Sequence, residues 1–232
     1  MNRRRLWDSL GVMSALLISG STLAREGQLR PLQKEFDFGA VGIDFRVACD
    51  FRFVNHGTEA IRIDTADVHC DCTEARFVDS VVAPNDTANI RIIFNTADFY
   101  GPVSKSLSIR SSDPITPNLQ LWYHATVGQW TYSVQPTPVS LLFLPAHKQR
   151  PLKLRNHALD FVEIDHLEYL DDKASVKILK GRAGKGEELE LEIAANPQLG
   201  SGEHLTNFTI QLKVPSDLKP LRVTIPVKIV RF

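Results

Sequence analysis

The residues in this chain best suited to chemistry are His69-Cys70-Asp71-Cys72. In an extended strand, side chains two apart point the same way, so both sulfurs can face one partner. Three uses are open to them. A further cysteine, Cys49, falls on the inward side of its own strand, and a disulfide from it to Cys70 or Cys72 would staple neighbouring strands. Such a bridge adds about 2–4 kcal/mol in an oxidising compartment. In a second use, paired thiolates with His69 beside them suit a soft metal, Cu(I) or Zn(II). Zinc, however, favours C-x2-C spacing and a second ligand pair. In a third, Cys70 and Cys72 close a reducible disulfide of their own and act as a redox pair, although no thioredoxin-like βαβ pattern surrounds them. With three cysteines, any single bridge leaves one thiol free.

No other constellation points to a reaction. The G-x-S-x-G, H-E-x-x-H and G-x-x-x-x-G-K signatures of hydrolases, zincins and P-loops are absent. Lys180-Gly181-Arg182-Ala183-Gly184-Lys185-Gly186 is basic and glycine-rich. It reads as a hairpin turn, because no helix follows to supply a phosphate-binding N-terminus. Asn85-Asp86-Thr87 and Asn207-Phe208-Thr209 fit the glycosylation sequon by accident of composition. Trp122, Tyr123 and Trp130 cluster in sequence, as core packing or as an aromatic platform for a ligand. The expectation is therefore no catalytic residue, no cofactor and no assigned metal site, with Cys70, Cys72 and His69 as the only metal candidates.

The elements that must position these residues are strands. Val47, Cys49, Phe51 and Phe53 alternate with Ala48, Asp50 and Arg52, a period of two with one face buried. The same pattern returns in Ala88–Phe94, Lys105–Arg110 and Leu119–Val127, with Gly, Pro, Asn and Asp between the runs, as in a sandwich. Phe51-Arg52-Phe53-Val54-Asn55-His56 before Ile61-Arg62-Ile63-Asp64 is echoed by Leu152-Lys153-Leu154-Arg155-Asn156-His157 before Val162-Glu163-Ile164-Asp165. A fixed offset of this kind marks two copies of one unit. His56 and His157 fall in equivalent turns, where a side chain can bond the local backbone. In the second copy, strands are predicted at Val139–Leu144, Leu152–Arg155, Phe161–Ile164, Ser175–Leu179, Glu188–Ile193, Phe208–Val214 and Val223–Val230. Pro226 lacks a ladder donor, so either the last of these is an edge or Pro226 turns its missing N–H outward, and the short Phe36–Phe38 strand is a second expected edge.

The N-terminus reads differently. Met1–Arg5 is basic, Leu10–Ile18 is mostly apolar and Ser21-Thr22-Leu23-Ala24 offers small residues. This is a secretory signal peptide cleaved after Ala24, too short in its apolar part to span a membrane. Its removal takes three Arg and one Asp from 27 basic and 27 acidic residues, leaving 24 and 26 and a net charge of −2. Such a balance lacks the basic stripe that nucleic acid or an anionic membrane would select.

Several motifs in order carry a family resemblance: Phe36-Asp37-Phe38-Gly39, Asn55-His56-Gly57-Thr58-Glu59, Cys70-Asp71-Cys72-Thr73, Ala83-Pro84-Asn85-Asp86, Phe94-Asn95-Thr96 and Ser111-Ser112-Asp113-Pro114. From Gln33 to Gly128 the chain resembles the bacterial secreted domain-of-unknown-function family numbered 1573. The resemblance implies an immunoglobulin-like fold, akin to the sperm-protein and pilus-chaperone sandwiches, and no activity. Asp71 stands where that family has glycine. The second copy places Asp171 and Lys173 at the positions of Cys70 and Cys72.

The resulting expectation is an all-β protein: a signal peptide over 1–24, an immunoglobulin-like β sandwich over 25–130 and a divergent one over 131–232. It is expected to be exported to the periplasm or beyond and to be non-catalytic. Its expected role is to bind a protein or an envelope polymer, with no nucleic acid and no membrane span after cleavage. The alternative is a periplasmic thiol-redox or copper-binding protein acting through Cys70 and Cys72.

Overall fold

The structure, a computed structural model, describes residues 28–77, 80–130 and 134–232. The expected signal peptide and the join at 131–133 fall outside the described residues. Among the described residues there are strands and no helix, and no helix is long and apolar enough to cross a membrane.

The first half contains β1 (Leu29–Pro31), β2 (Glu35–Val41), β3 (Arg46–Asn55), β4 (Ile61–Val68), β5 (Thr73–Phe77) and β6 (Val81–Val82). It continues with β7 (Thr87–Asn95), β8 (Gly101–Ser111) and β9 (Asn118–Val127). The second half has β10 (Val134–Thr137), β11 (Leu141–Phe143), β12 (Gln149–Asn156), β13 (Phe161–Tyr169) and β14 (Ala174–Lys180). It ends with β15 (Arg182–Gly184), β16 (Glu188–Ala195), β17 (Gly202–Lys213) and β18 (Leu221–Arg231).

Each half builds one four-stranded sheet, β1-β3-β7-β5 in the first and β10-β12-β16-β14 in the second. The period-two strands turn their apolar sides inward. Cys49, Phe51, Ile92 and Phe94 enter one buried cluster, and Leu152, Leu154, Leu191 and Ile193 enter another. The opposing layer is shared. A single sheet runs β15-β13-β17-β18-β2-β9-β8-β4-β6 and so crosses from one half to the other.

The crossing overturns the expected edges. β2 runs parallel to β9 on one side and meets β18 at Ala40↔Val223 on the other. β18 pairs along its length with β17 and is also joined by β11 from Val227 onward. Pro226 falls between the contacts with β2 and β11, a stretch of that side with no partner residue in register. Neither strand is an edge. The reason lies in non-local pairing, which a proline in a local pattern does not reveal.

The seam explains a run of continuous burial, Thr206–Ile210 on β17 and Val223–Val227 on β18. One side of these strands faces the second cluster and the other faces the first half. The polar groups enclosed there are all bonded, as buried polar groups require. Asn207 accepts the Ala48 amide at 2.7 Å and donates to the Ala48 carbonyl at 3.1 Å. Thr224 donates to the Phe38 carbonyl at 2.6 Å, and its hydroxyl meets that of Thr209 at 2.7 Å. The Asn207 sequon is thus occupied by a structural role.

The repeated turns are held by asparagine, not by the histidines that follow. Asn55, fully buried, donates to the carbonyls of Glu59 at 2.7 Å and Val82 at 3.0 Å, and accepts the Gly57 amide at 2.9 Å. Asn156 repeats this with the Leu159 carbonyl at 2.8 Å, the Ala183 carbonyl at 3.4 Å and the Leu159 amide at 3.0 Å. His56 and His157 are exposed. The glycine-rich loop is more than a hairpin. β14 and β16 do pair, but the link between them contributes β15 to the other sheet, against β13.

Candidate functional site

The turn from β4 to β5 carries the cysteines across from one sheet to the other. Cys70 and Cys72 are disulfide-bonded to each other, and Cys49 is a free, buried thiol. The expected bridge from Cys49 is therefore not made. Cys49 lies in mid-strand opposite Ile92 with its side chain in the apolar cluster, whereas the turn folds its two sulfurs onto one another. Burial pushes the Cys49 thiol well up, with the Asp50 charge adding to the effect and Arg91 opposing it. That thiol stays protonated and inert. With their sulfurs joined, Cys70 and Cys72 offer no thiolate to copper or zinc in this state. Among the described residues no group of three or more His, Cys, Asp or Glu is placed to hold a metal ion.

The bridge does little for stability. In the loop-entropy relation a three-residue loop is worth about 1.6 kcal/mol, against about 3 for a fifteen-residue one. It ties no two strands together.

The surroundings of the bridge are specific. Thr73 Oγ1 is 3.4 Å from Cys70 Sγ and 3.5 Å from Cys72 Sγ, and it is hydrogen-bonded to the Tyr123 hydroxyl. Tyr123 is fully buried against Phe38 and Phe94. Burial pushes its hydroxyl up to about 12, against the lowering effect of its bond with Thr73. Cys70 also lines a shallow open pocket of about 180 Å³ with His69, Ser104, Lys105, Ser106 and Trp122. Sequence reasoning placed Trp122, Tyr123 and Trp130 together. The structure sends Trp122 outward, Tyr123 into the first cluster and Trp130 against the second.

At the equivalent turn of the second half, Asp171 and Lys173 form an ion pair where the first half has its disulfide. The frame matches as well. Asn95 N donates to the Cys72 carbonyl, and Asn196 N donates to the Lys173 carbonyl, each at 2.8 Å. One backbone turn is closed covalently in one half and electrostatically in the other.

The second place of interest is the groove at the seam, about 280 Å³, lined among others by Leu32, Phe36, Asp50, Arg52, Glu168 and Tyr169. Its carboxylates Asp50 and Glu168 are each paired with an arginine. Arg91 grips Asp50 through two bonds of 2.8 and 2.9 Å and reaches Asp171 at 3.4 Å. Arg222 grips Glu168 at 2.6 and 2.8 Å and donates to the Asp37 carbonyl at 2.7 Å. Burial pushes the Glu168 carboxyl up, but the bonds and charge of Arg222 outweigh it and hold it below its ordinary 4.5. Burial likewise raises Asp171, and bonds from Lys173 and Thr206 outweigh it, holding it below 3.8. Both stay ionised at neutral pH, so neither supplies a proton as a general acid would.

A carboxyl whose pKa is depressed by folding stabilises the fold above its unfolded value and ceases to do so as pH falls through its folded value. Urea midpoints are therefore expected to hold from neutral pH down to the ordinary range of 4.5 and 3.8, then fall. Asp171→Asn should flatten that acid limb. An unchanged limb would show that Asp171 does not couple the halves.

Among curated proteins, none matches the chain. Solved structures resemble it loosely. A protein of unknown function from Porphyromonas gingivalis W83 is 12% identical over 86% of this chain and 99% of that one, with a TM-score of 0.35. The Pseudomonas aeruginosa CupB2 chaperone is 13% identical over 85% and 98%, with a TM-score of 0.33. The PapD-like domain 7 of human CEP192 is 11% identical over 51% and 97%, with a TM-score of 0.35. The model of the family described as "Protein of unknown function (DUF1573)" matches residues 29–127, bearing out the resemblance traced from Gln33 to Gly128.

Proposed function

We propose that the protein is an exported, non-catalytic binding module: two tandem immunoglobulin-like sandwiches, 25–130 and 131–232, released from a signal peptide over 1–24. In this reading it holds a protein partner in the cell envelope. The observation that carries the reading is the seam groove. Its two walls come from different halves, and the Asn207–Ala48 and Thr224–Phe38 bonds fix them against each other. A concave surface with walls held in place binds without a large ordering cost. The groove combines apolar Leu32 and Phe36 with charged Arg52 and an exposed aromatic, Tyr169. Exposed aromatic residues beside a concave site are frequent anchors of protein interfaces.

Two measurements test this. The exported product is expected to begin at Arg25 by N-terminal sequencing, and retention of Met1 would overturn the signal peptide. Immobilised protein is expected to retain one envelope protein, with Tyr169→Ala weakening that interaction by about tenfold or more. Equal retention by both proteins would remove the groove from the interaction.

A further inference from the structure

We propose that the Cys70–Cys72 disulfide is a thiol–disulfide exchange site for a protein dithiol, with Thr73 as the positioning residue that stabilises the departing sulfur. This goes beyond the binding role and does not depend on the groove.

The two sulfurs are not equivalent. Cys70 lines the open pocket, while Cys72 packs against the first apolar cluster. An incoming thiolate therefore reaches Cys70 Sγ, and Cys72 Sγ is the leaving atom. Lys105 lines the same pocket, with its ammonium 4.9 Å from the Phe99 ring centroid, and adds positive charge that favours an attacking thiolate. Thr73 Oγ1 lies within 3.5 Å of both sulfurs. The Tyr123 hydroxyl keeps its proton at any physiological pH and shares a hydrogen bond with Thr73 Oγ1; with Tyr123 as the donor in that bond, the Thr73 proton is free for sulfur. A thiolate forming at Cys72 then gains a charge-assisted hydrogen bond absent from the disulfide.

The step balances. The partner thiolate attacks Cys70 Sγ, the Cys70–Cys72 bond breaks, and a mixed disulfide to Cys70 forms while Cys72 leaves as thiolate. The partner's second thiol, losing its proton to the Cys72 thiolate, attacks its own sulfur in the mixed disulfide. Cys70 is released and takes a proton from water. The bridge has gained two electrons and two protons, and the partner dithiol has lost them to form its own disulfide.

The turn is built to survive this cycle. In the second half the same backbone turn is closed by Asp171 and Lys173 without a covalent bond, so its shape does not require one. The reduced sulfurs remain beside Thr73, and the third thiol, Cys49, is buried out of reach.

Dithiothreitol serves as the probe dithiol on the intact mature protein. The bridge is expected to be reduced in the native state, with thermal midpoints of the oxidised and reduced forms within a few degrees. Thr73→Val should slow reduction by about tenfold and move the thiolate titration of Cys72 to higher pH. Thr73→Ser, which keeps the hydroxyl, should restore both. In Cys72→Ser the remaining Cys70 should form a mixed disulfide with oxidised glutathione, and in Cys70→Ser the inner Cys72 should do so far more slowly. A bridge reduced only on unfolding would overturn the proposal. So would Thr73→Val matching the wild-type rate and pH profile.

Discussion

Gly39→Ala is expected to cost at least about 4 kcal/mol and to part the two halves of the molecule. Gly39 has φ +65°, and a Cβ built on it would lie 2.1 Å from the Arg222 carbonyl oxygen and 2.4 Å from its carbon. The left-handed conformation alone costs a side chain about 1–2 kcal/mol. The clash is with backbone, so no rotamer change relieves it. Relief requires β18 to withdraw from β2, and with it the Thr224 bond to Phe38 and the Arg222 bond to Asp37. Gly186→Ala is the control: φ is +80° and nothing lies within 4 Å of the added carbon. It pays the conformational term without the clash and should cost only about 1–2 kcal/mol. Urea midpoints compare the two, and small-angle scattering reports separation of the halves. If Gly39→Ala were no worse than Gly186→Ala, the continuity of the sheet from β2 to β18 would contribute nothing to stability.

Asn55→Ala and Asn156→Ala are each expected to lose about 2–4 kcal/mol. Either change strands one buried carbonyl, one part-buried carbonyl and at least one amide, and each unsatisfied buried group costs about 1–3 kcal/mol, partly recovered by relaxation. The two residues share no partner and belong to different turns, so the double substitution should be additive within about 0.5 kcal/mol. His56→Ala and His157→Ala, on exposed neighbours, should stay within about 0.5 kcal/mol of wild type. Denaturant titration of the five proteins decides the matter. A histidine substitution as harmful as its asparagine neighbour would show that the turn is held by the ring.

That contrast also shows what local pattern can and cannot convey. The alternation of Val47, Cys49, Phe51 and Phe53 announced both strand and inward face, because burial on one side imposes a period of two on the sequence itself. The Asn-His repeat announced a turn, but two polar residues side by side do not say which one is buried; the backbone path decides that. The inward direction of Cys49 was legible, while its lack of a partner was not. Pairing of sulfurs depends on how the β4–β5 turn folds back, and the sequence between Cys70 and Cys72 does not spell this out. Thr73 and Tyr123, which lie fifty positions apart and meet under the disulfide, left no signal at all. Nor did the seam, whose bonds join residues such as Ala48 and Asn207 across most of the chain. Asp113, buried and accepting the amides of Leu29, Ile115 and Thr116, was visible only as part of a turn motif.

The crossing of one sheet from β2 to β18 has a consequence for how this molecule can vary. Free-standing modules can be shuffled, deleted or strung into longer arrays, since each ends in finished surface. Here the ladder at Ala40↔Val223 consumes the flank of both partners. A fragment cut at the midpoint would carry a raw strand margin that invites pairing with foreign chains.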